Sequence, residues 1–231
     1  MRMTSAGSVL YIFSGLIFGL GITSSFLQGA TTERGGVTVK SLPLPVKNGS
    51  VSVEKAIGLR RSVRNFTSSR LTDQQISQLL FAAQGITDTS RGFRAAPSAG
   101  ATYPLTCYLV TQEGVFRYLP EKHALESVKK GNQLQKLGEA AWGQSCVSSA
   151  PAVVVITAVF DQTTNRYGER GHRYVHMEVG HAAQNVHLQA AAMGLGSVPV
   201  GAFDDSAMAK ALGCGDKEKV LYLVPVGVPK K

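Results

Sequence analysis

A short basic segment carries the side chains best suited to binding an anion. Residues 59–66 read LRRSVRNF and bring three arginines and a serine hydroxyl close together: Arg60, Arg61, Ser62 and Arg64. Guanidinium groups bind phosphate oxygens through paired hydrogen bonds, and a hydroxyl adds a further donor. The pattern indicates a phosphate site, with a solvated basic face as the alternative.

Two later segments are rich in small residues that let a flat ligand approach the backbone. Residues 94–105 read RAAPSAGATYPL and residues 194–205 read GLGSVPVGAFDD. Both combine proline and glycine with short side chains, as expected of loops that contact a ligand. The second segment does not match a dinucleotide fingerprint, because Pro199 stands where the third glycine belongs and a helix precedes it.

Metal binding and nucleophilic catalysis have weaker support. His172 and His176 would share a helix face near Glu178, but no third ligand follows at a suitable spacing. We therefore interpret the histidines at 172, 176, 181 and 187 as surface or interface residues. The three cysteines (Cys107, Cys146 and Cys214) form no CxxC pair and are interpreted as structural thiols.

The composition indicates one globular domain with a basic surface. The 231 residues include 24 Lys and Arg against 15 Asp and Glu, a net charge of +9, and 44% are hydrophobic. A basic excess favours anionic partners. The chain has no zinc-finger spacing and no basic stripe interleaved with aromatic residues, so nucleic acid is not the expected partner.

The first 30 residues read as a targeting segment. No charged residue occurs between Arg2 and Glu33, and residues 9–22 form an apolar run, VLYIFSGLIFGLGI. Its length suits the core of a signal peptide and approaches that of a membrane span. We predict that residues 1–30 are a signal peptide or an uncleaved N-terminal membrane anchor, and that the protein is exported (periplasmic) or membrane-anchored. Residues 31–49 are predicted to be a linker, and residues 50–231 the folded domain.

Hydrophobic spacing predicts alternating helices and strands in irregular order. Thr72 and Gln75 form a capping box, followed by apolar residues at helical spacing. The predicted helices cover 52–61, from 72 onward, 123–130, 134–142 and 174–193. The predicted strands cover 106–111, 115–119, 151–160 and 219–227. This order favours an α+β fold with a mixed β-sheet flanked by helices.

The three ligand-like segments resemble, in the same order, motifs of the FMN-dependent nitroreductase family. RRSVRNF resembles its phosphate-binding motif, PSAGATYP its second flavin loop, and GLGSVPVGAFDD its flavin-ring loop. The helix EVGHAAQNVHLQAAAMGLGS is similar to the central helix of the family. PSAGATYPL is most similar to the branch that contains the azoline dehydrogenases of thiazole- and oxazole-forming peptide pathways. The resemblance covers residues 50–227.

The resemblance implies three sets of FMN-binding residues. The set at the phosphate and ribityl chain is Arg60, Arg61, Ser62 and Arg64. The set against the flavin, which usually comes from the partner subunit, is Pro97, Ser98, Ala99 and Ala101. The set along one edge of the ring is Pro199, Val200, Gly201 and Ala202. Ala101 stands where many members have asparagine, and Gly201 where many have glutamate, so those two side-chain contacts are absent. Members commonly end with a basic pair that reaches the phosphate, and Lys230 and Lys231 are the corresponding candidates in this sequence.

The resemblance also implies an activity. Members are interlocked homodimers in which NAD(P)H reduces FMN and FMN reduces a nitroaromatic, a quinone or a similar acceptor in a ping-pong order. The flavin carries this chemistry, so we expect no catalytic side chain and no metal. The alternatives are an azoline dehydrogenase acting on peptides and a non-catalytic flavin-binding module.

Overall fold

An eight-stranded sheet forms the centre of the fold in the computed structural model, which describes residues 31–34 and 37–230. The strands are β1 (Thr31–Arg34), β2 (Val37–Ser41), β3 (Ile86–Asp88), β4 (Phe93–Arg94), β5 (Leu105–Thr111), β6 (Gly114–Leu119), β7 (Ala124–Lys130), β8 (Ala152–Ala158), β9 (Gly196–Ser197) and β10 (Lys219–Gly227). The order in the large sheet is β1-β2-β7-β6-β5-β8-β10-β9, and β3 pairs with β4 separately. These strands pair antiparallel, while a parallel bridge joins Ser62 to Ser197 at the β9 edge.

Helices cover both faces of this sheet. They are α1 (Val53–Leu59), α2 (Asp73–Gln84), α3 (Leu134–Ala140), α4 (Ser145–Ser148), α5 (Asp161–Tyr167), α6 (Arg170–Ala192) and α7 (Asp205–Leu212). The capping box at the start of α2 is confirmed: Thr72 Oγ1 accepts from Gln75 N at 3.2 Å, and Gln75 Oε1 accepts from Thr72 N at 2.8 Å. The predicted α+β class is confirmed by this arrangement.

The strand β8 lies between two hydrophobic clusters. Every residue of β8 is buried, as its continuous run of apolar residues predicts. Val154 and Ile156 pack in the cluster built by α2 and α6. Val153 and Val155 face the opposite cluster, which is built by α3 and α7. The alternation of side chains along one strand therefore supplies the cores on both faces of the sheet.

Two segments differ from the sequence-based prediction. Residues 124–130, predicted to be helical, form the strand β7 between β2 and β6. Their helix-favouring side chains are overridden because β7 buries Ala124 and Leu125 and pairs along both of its edges. Part of the predicted linker also joins the sheet, because β2 pairs with β7 from Val39 to Ser41.

The predicted localisation needs correction. None of the helices within residues 31–34 and 37–230 combines the length and the hydropathy of a membrane span. This finding contradicts the exported or membrane-anchored localisation predicted above, which we withdraw. Residues 1–30, the predicted signal peptide or anchor, lie outside the described residues.

Candidate functional site

The basic segment runs from the end of α1 along the β9 edge of the sheet. Arg60 ends α1, donating its backbone N–H to Ala56 O. Val63 N donates to Ser197 O at 3.0 Å, beside the parallel bridge from Ser62. On its other side, Lys230 N donates to Asn65 O at 3.0 Å. The segment is thus fixed between β9 and the last described residue of the chain, while Lys231 lies outside the described residues.

A buried histidine holds the first arginine of this segment. Arg60 Nη1 lies 3.0 Å from His187 Nε2, and His187 Nδ1 lies 2.5 Å from Ser197 Oγ. His187 and Ser197 are both almost fully buried. Burial, together with the charge of Arg60, lowers the pKa of His187 to about 4. The imidazole is therefore neutral near pH 7.

The other arginines of the segment and its serine are exposed to solvent. Arg61, Ser62 and Arg64 are exposed, and Arg61 Nη1 donates to two nearby backbone carbonyl oxygens. Within residues 31–34 and 37–230, no carboxylate forms an ion pair with any of the three arginines of the segment. Arg64 lies close enough to α4 that its charge opposes the rise which burial causes in the pKa of the Cys146 thiol. The segment therefore presents cations that can accept an anionic ligand.

The third ligand-like segment includes β9 and lies beside the first. Val200 exchanges two backbone hydrogen bonds with Leu223, at 2.7 and 2.9 Å. Gly201 and Ala202 are exposed, and Gln144 Nε2 donates to Ala202 O at 2.8 Å. This segment is thus tied to β10 on one side and to the turn before α4 on the other.

Close contact between the first and third segments depends on a glycine. A Cβ placed on Gly196 would lie 2.7 Å from the side chain of Val63, too close for a side chain there. The glycine permits the backbone contacts between Val63 and Ser197. The structure therefore brings the residues predicted at 60–64 and at 199–202 to one edge of the sheet.

The second ligand-like segment is a tight turn ahead of β5. Ser98 Oγ accepts from Tyr103 N at 2.9 Å, and the turn includes three residues with positive φ: Gly100 (+59°), Ala101 (+53°) and Tyr103 (+47°). Ala101 adopts this region without the local hydrogen bonding that an asparagine side chain offers there. Arg166 Nη1 donates to Gly100 O at 3.1 Å and holds the turn against α5. Pro97 and Ala101 are exposed.

Within one chain, the Ser98 end of this second segment lies away from Arg60, whereas its start at Ala95 accepts a hydrogen bond from Asn185 Nδ2 of α6 at 3.4 Å. Ser98 interacts with Glu178 of α6, whereas Arg60 contacts His187 of the same helix. The two helix positions are nine residues apart, which corresponds to roughly 13 Å along the axis and about half a turn around it. The structure therefore places Ser98 and Arg60 against different positions of α6.

Glu178 is a buried carboxyl group beside the second segment. It is 3% exposed, and its Oε1 has no hydrogen-bond partner among the described residues. Burial raises its pKa to about 7, while the Ser98 hydroxyl and the charge of Arg94 act in the opposite direction. Both the protonated and the ionised form of this carboxyl group are consequently populated near neutral pH.

The sequence analysis missed the roles of Glu178 and His187. His172, His176 and His181 are exposed, as interpreted, but His187 is buried, so its assignment as a surface or interface residue was wrong. Helical spacing could have predicted the burial of His187, because this residue follows the buried Ala183 by one helical turn. Among the described residues, no group of three or more potential ligands could hold a metal.

Cysteine chemistry does not contribute to the site. All three cysteines are free thiols. Cys107 is buried in β5, and burial raises its pKa to about 12, which keeps it protonated and unreactive. The interpretation of Cys107 as a structural thiol agrees with this environment.

Comparison with known proteins identifies the family. The model of the nitroreductase family matches residues 57–228. A nitroreductase homologue of Methanocaldococcus jannaschii, MJ1384, is 46% identical over 183 residues, which are 77% of this chain and 91% of that protein. The microcin B17-processing protein McbC of Escherichia coli is 30% identical over 167 residues, 68% of this chain and 61% of McbC.

The fold leads to the same family. The crystal structure of a nitroreductase homologue from Ralstonia eutropha JMP134 superposes with a TM-score of 0.77 and 26% identity, covering 84% of this chain and 90% of that one. The predicted nitroreductase-like fold is thereby confirmed. Because the family model spans most of the folded domain and MJ1384 is similar along most of its length, the chain belongs to the nitroreductase family, a family of FMN-dependent oxidoreductases.

Proposed function

We propose that this protein binds FMN at the β9 edge of its sheet and uses it to transfer reducing equivalents from NAD(P)H to a nitroaromatic, a quinone or a similar acceptor. One observation carries the proposal: Arg60, Arg61 and Arg64 have no carboxylate partner in the described part of the chain, and their segment is hydrogen-bonded to the segment of the third motif. An FMN phosphate carries about two negative charges and is best bound by paired guanidinium groups.

Each group of residues has a distinct task in this proposal. The arginines and the Ser62 hydroxyl hold the phosphate and ribityl chain. Pro199, Val200, Gly201 and Ala202 present backbone along one edge of the ring, where an exposed N–H can stabilise negative charge. Bound FMN supplies hydride transfer through N5 of its ring. Lys230 would add a further cation at the phosphate end, and the hydrogen bond from its backbone N–H to Asn65 O supports this role.

We also propose that a second copy of the chain completes the site. Pro97, Ser98, Ala99 and Ala101 would then contact the flavin that is held by the partner. Two features support a homodimer: this segment lies about half a turn of α6 away from the first, and α1 exposes Val53 and Ile57 at 65% and 56%. Sedimentation of the purified protein at twice the monomer mass is expected, and a monomer with full flavin occupancy would contradict this part of the proposal.

The central experiment measures the flavin and its reduction. The purified protein is expected to be yellow and to bleach when NADH or NADPH is added without oxygen. Replacing Arg60 and Arg64 together with alanine removes charge-assisted hydrogen bonds, so FMN affinity should fall by at least about tenfold. Arg117→Ala is the control, because Arg117 pairs with Glu126 on β6 and β7, and β5, β8 and β10 lie between β6 and β9. Unchanged FMN affinity in the double variant would place the phosphate elsewhere.

An azoline dehydrogenase is the second candidate. The similarity to McbC and the PSAGATYPL segment favour it. In that case the oxidised, flavin-loaded protein should remove two hydrogens from a thiazoline-containing peptide, detected by mass spectrometry. Rapid bleaching by NAD(P)H together with an unaltered thiazoline peptide would favour the reductase, and the reverse pattern would favour the dehydrogenase.

A further inference from the structure

We propose that His187 is a positioning residue that holds Arg60 ready for an anionic ligand while leaving the positive charge of Arg60 unneutralised. This inference rests on the proposed function, because it takes the ligand to be the phosphate of FMN. His187 lies in the C-terminal part of α6 and contacts the arginine through a single hydrogen bond of 3.0 Å.

The hydrogen-bond chemistry fixes the tautomer of the imidazole. A guanidinium group can only donate, so His187 Nε2 must accept from Arg60. The ring proton therefore resides on Nδ1, which donates to Ser197 Oγ at 2.5 Å. A doubly protonated ring cannot accept from Arg60. The low pKa of His187, which burial and Arg60 produce, agrees with the neutral form.

A neutral partner matters because the arginine is to bind an anion. Several other arginines of the described chain are held by carboxylates, as in the ion pairs Arg70–Glu113, Arg91–Asp88 and Arg117–Glu126. A carboxylate in the place of His187 would also restrain Arg60, but it would cancel the charge and repel a phosphate. An imidazole restrains the guanidinium group without either effect.

The same histidine also joins the two segments of the site. Ser197 accepts from His187 with its hydroxyl and from Val63 N with its carbonyl oxygen. The side chain of His187 consequently links α6 to the arginine segment on one side and to β9 on the other. Its removal should loosen Arg60 and leave a buried serine hydroxyl without this partner.

Three substitutions at one position separate restraint from charge. His187→Gln keeps a neutral acceptor near the position of Nε2, His187→Leu removes the acceptor, and His187→Glu replaces it with a charged one. The FMN dissociation constant of each variant is measured by quenching of flavin fluorescence. We expect it to stay within about threefold of wild type for the Gln variant. For the Leu variant it should rise about tenfold, because one charge-assisted hydrogen bond is lost. The Glu variant should bind FMN at least roughly tenfold more weakly than the Gln variant. His181→Leu, at an exposed position on the same helix, is the control.

A double-mutant cycle tests whether the effect passes through Arg60. In an Arg60→Ala background, His187→Leu should weaken FMN binding much less than in the wild type, because the group it positions is gone. Equal FMN affinity of the Gln and Glu variants, or an undiminished Leu effect in that background, would overturn the proposal. Thermal unfolding of each variant identifies any loss of folding. If the Leu variant is unstable, the comparison of the Gln and Glu variants still tests the proposal, because it changes the charge at nearly constant side-chain volume. If Arg60→Ala and Arg64→Ala together leave FMN affinity unchanged, the proposed phosphate site fails instead.

Discussion

The buried carboxyl group of Glu178 predicts a pH dependence of stability that one substitution can isolate. Burial raises its pKa from the ordinary 4.5 to about 7 in the folded protein. Between these two values the folded chain binds a proton that the unfolded chain has released, so the free energy of unfolding falls as pH rises through this window. A difference of roughly 2.5 in pKa corresponds to about 3 kcal/mol, at about 1.4 kcal/mol for each pKa unit.

Replacing Glu178 with glutamine removes the titration and retains the shape of the side chain. We expect the Gln variant to be more stable than the wild type by up to about 3 kcal/mol near pH 8.5, and this advantage to shrink toward zero near pH 4.5. Urea unfolding at several pH values measures this difference, with the protein concentration held fixed because the proposed dimer would make the apparent stability depend on concentration. Glu169→Gln is the control, since its side chain is 98% exposed. If wild type and Glu178→Gln show the same pH dependence, Glu178 ionises normally and the argument from burial is refuted.

Two further predictions concern the contacts that build the site and the fold. Gly196→Ala should lower FMN affinity, because its Cβ would lie 2.7 Å from the Cβ of Val63. Adding Val63→Gly, which removes that Cβ, should restore binding, and Gly58→Ala, which has open space around it, should leave FMN affinity unchanged. Full FMN affinity in Gly196→Ala would show that the β9 contact tolerates a side chain. Thr72→Ala should lower the free energy of unfolding in urea by about 1 kcal/mol through loss of the capping box, whereas Thr72→Ser should not; equal stability of all three proteins would contradict that role of Thr72.

The sequence predicted those elements whose signals are local. The start of α2 follows from Thr72 and Gln75, which act on backbone groups three residues away. The strand β8 follows from its own run of β-branched residues. By contrast, β7 has a helix-favouring composition and becomes a strand through pairing with β2, more than 80 residues earlier in the chain. Neighbouring residues alone cannot predict this pairing, because nothing in the sequence of either strand specifies the other strand as its partner.

The same distinction applies to the candidate site. The arginine segment and the two loops are recognisable from short stretches of sequence, but the contact between Arg60 and His187 joins residues 127 positions apart. Helical spacing places His187 on the buried side of α6, yet spacing alone does not say which group it meets there. Only the packing of α1 against α6 makes the histidine the partner of an arginine.

The helix α6 also determines how many chains the proposed site requires. It contacts the arginine segment at His187 and the second loop at Glu178, about half a turn and roughly 13 Å apart. The Ser98 end of the loop and Arg60 therefore lie on opposite sides of this helix within one chain. This arrangement supports the proposal that the second loop reaches the flavin from another copy, and the exposed apolar residues of α1 provide a surface that such a copy can cover.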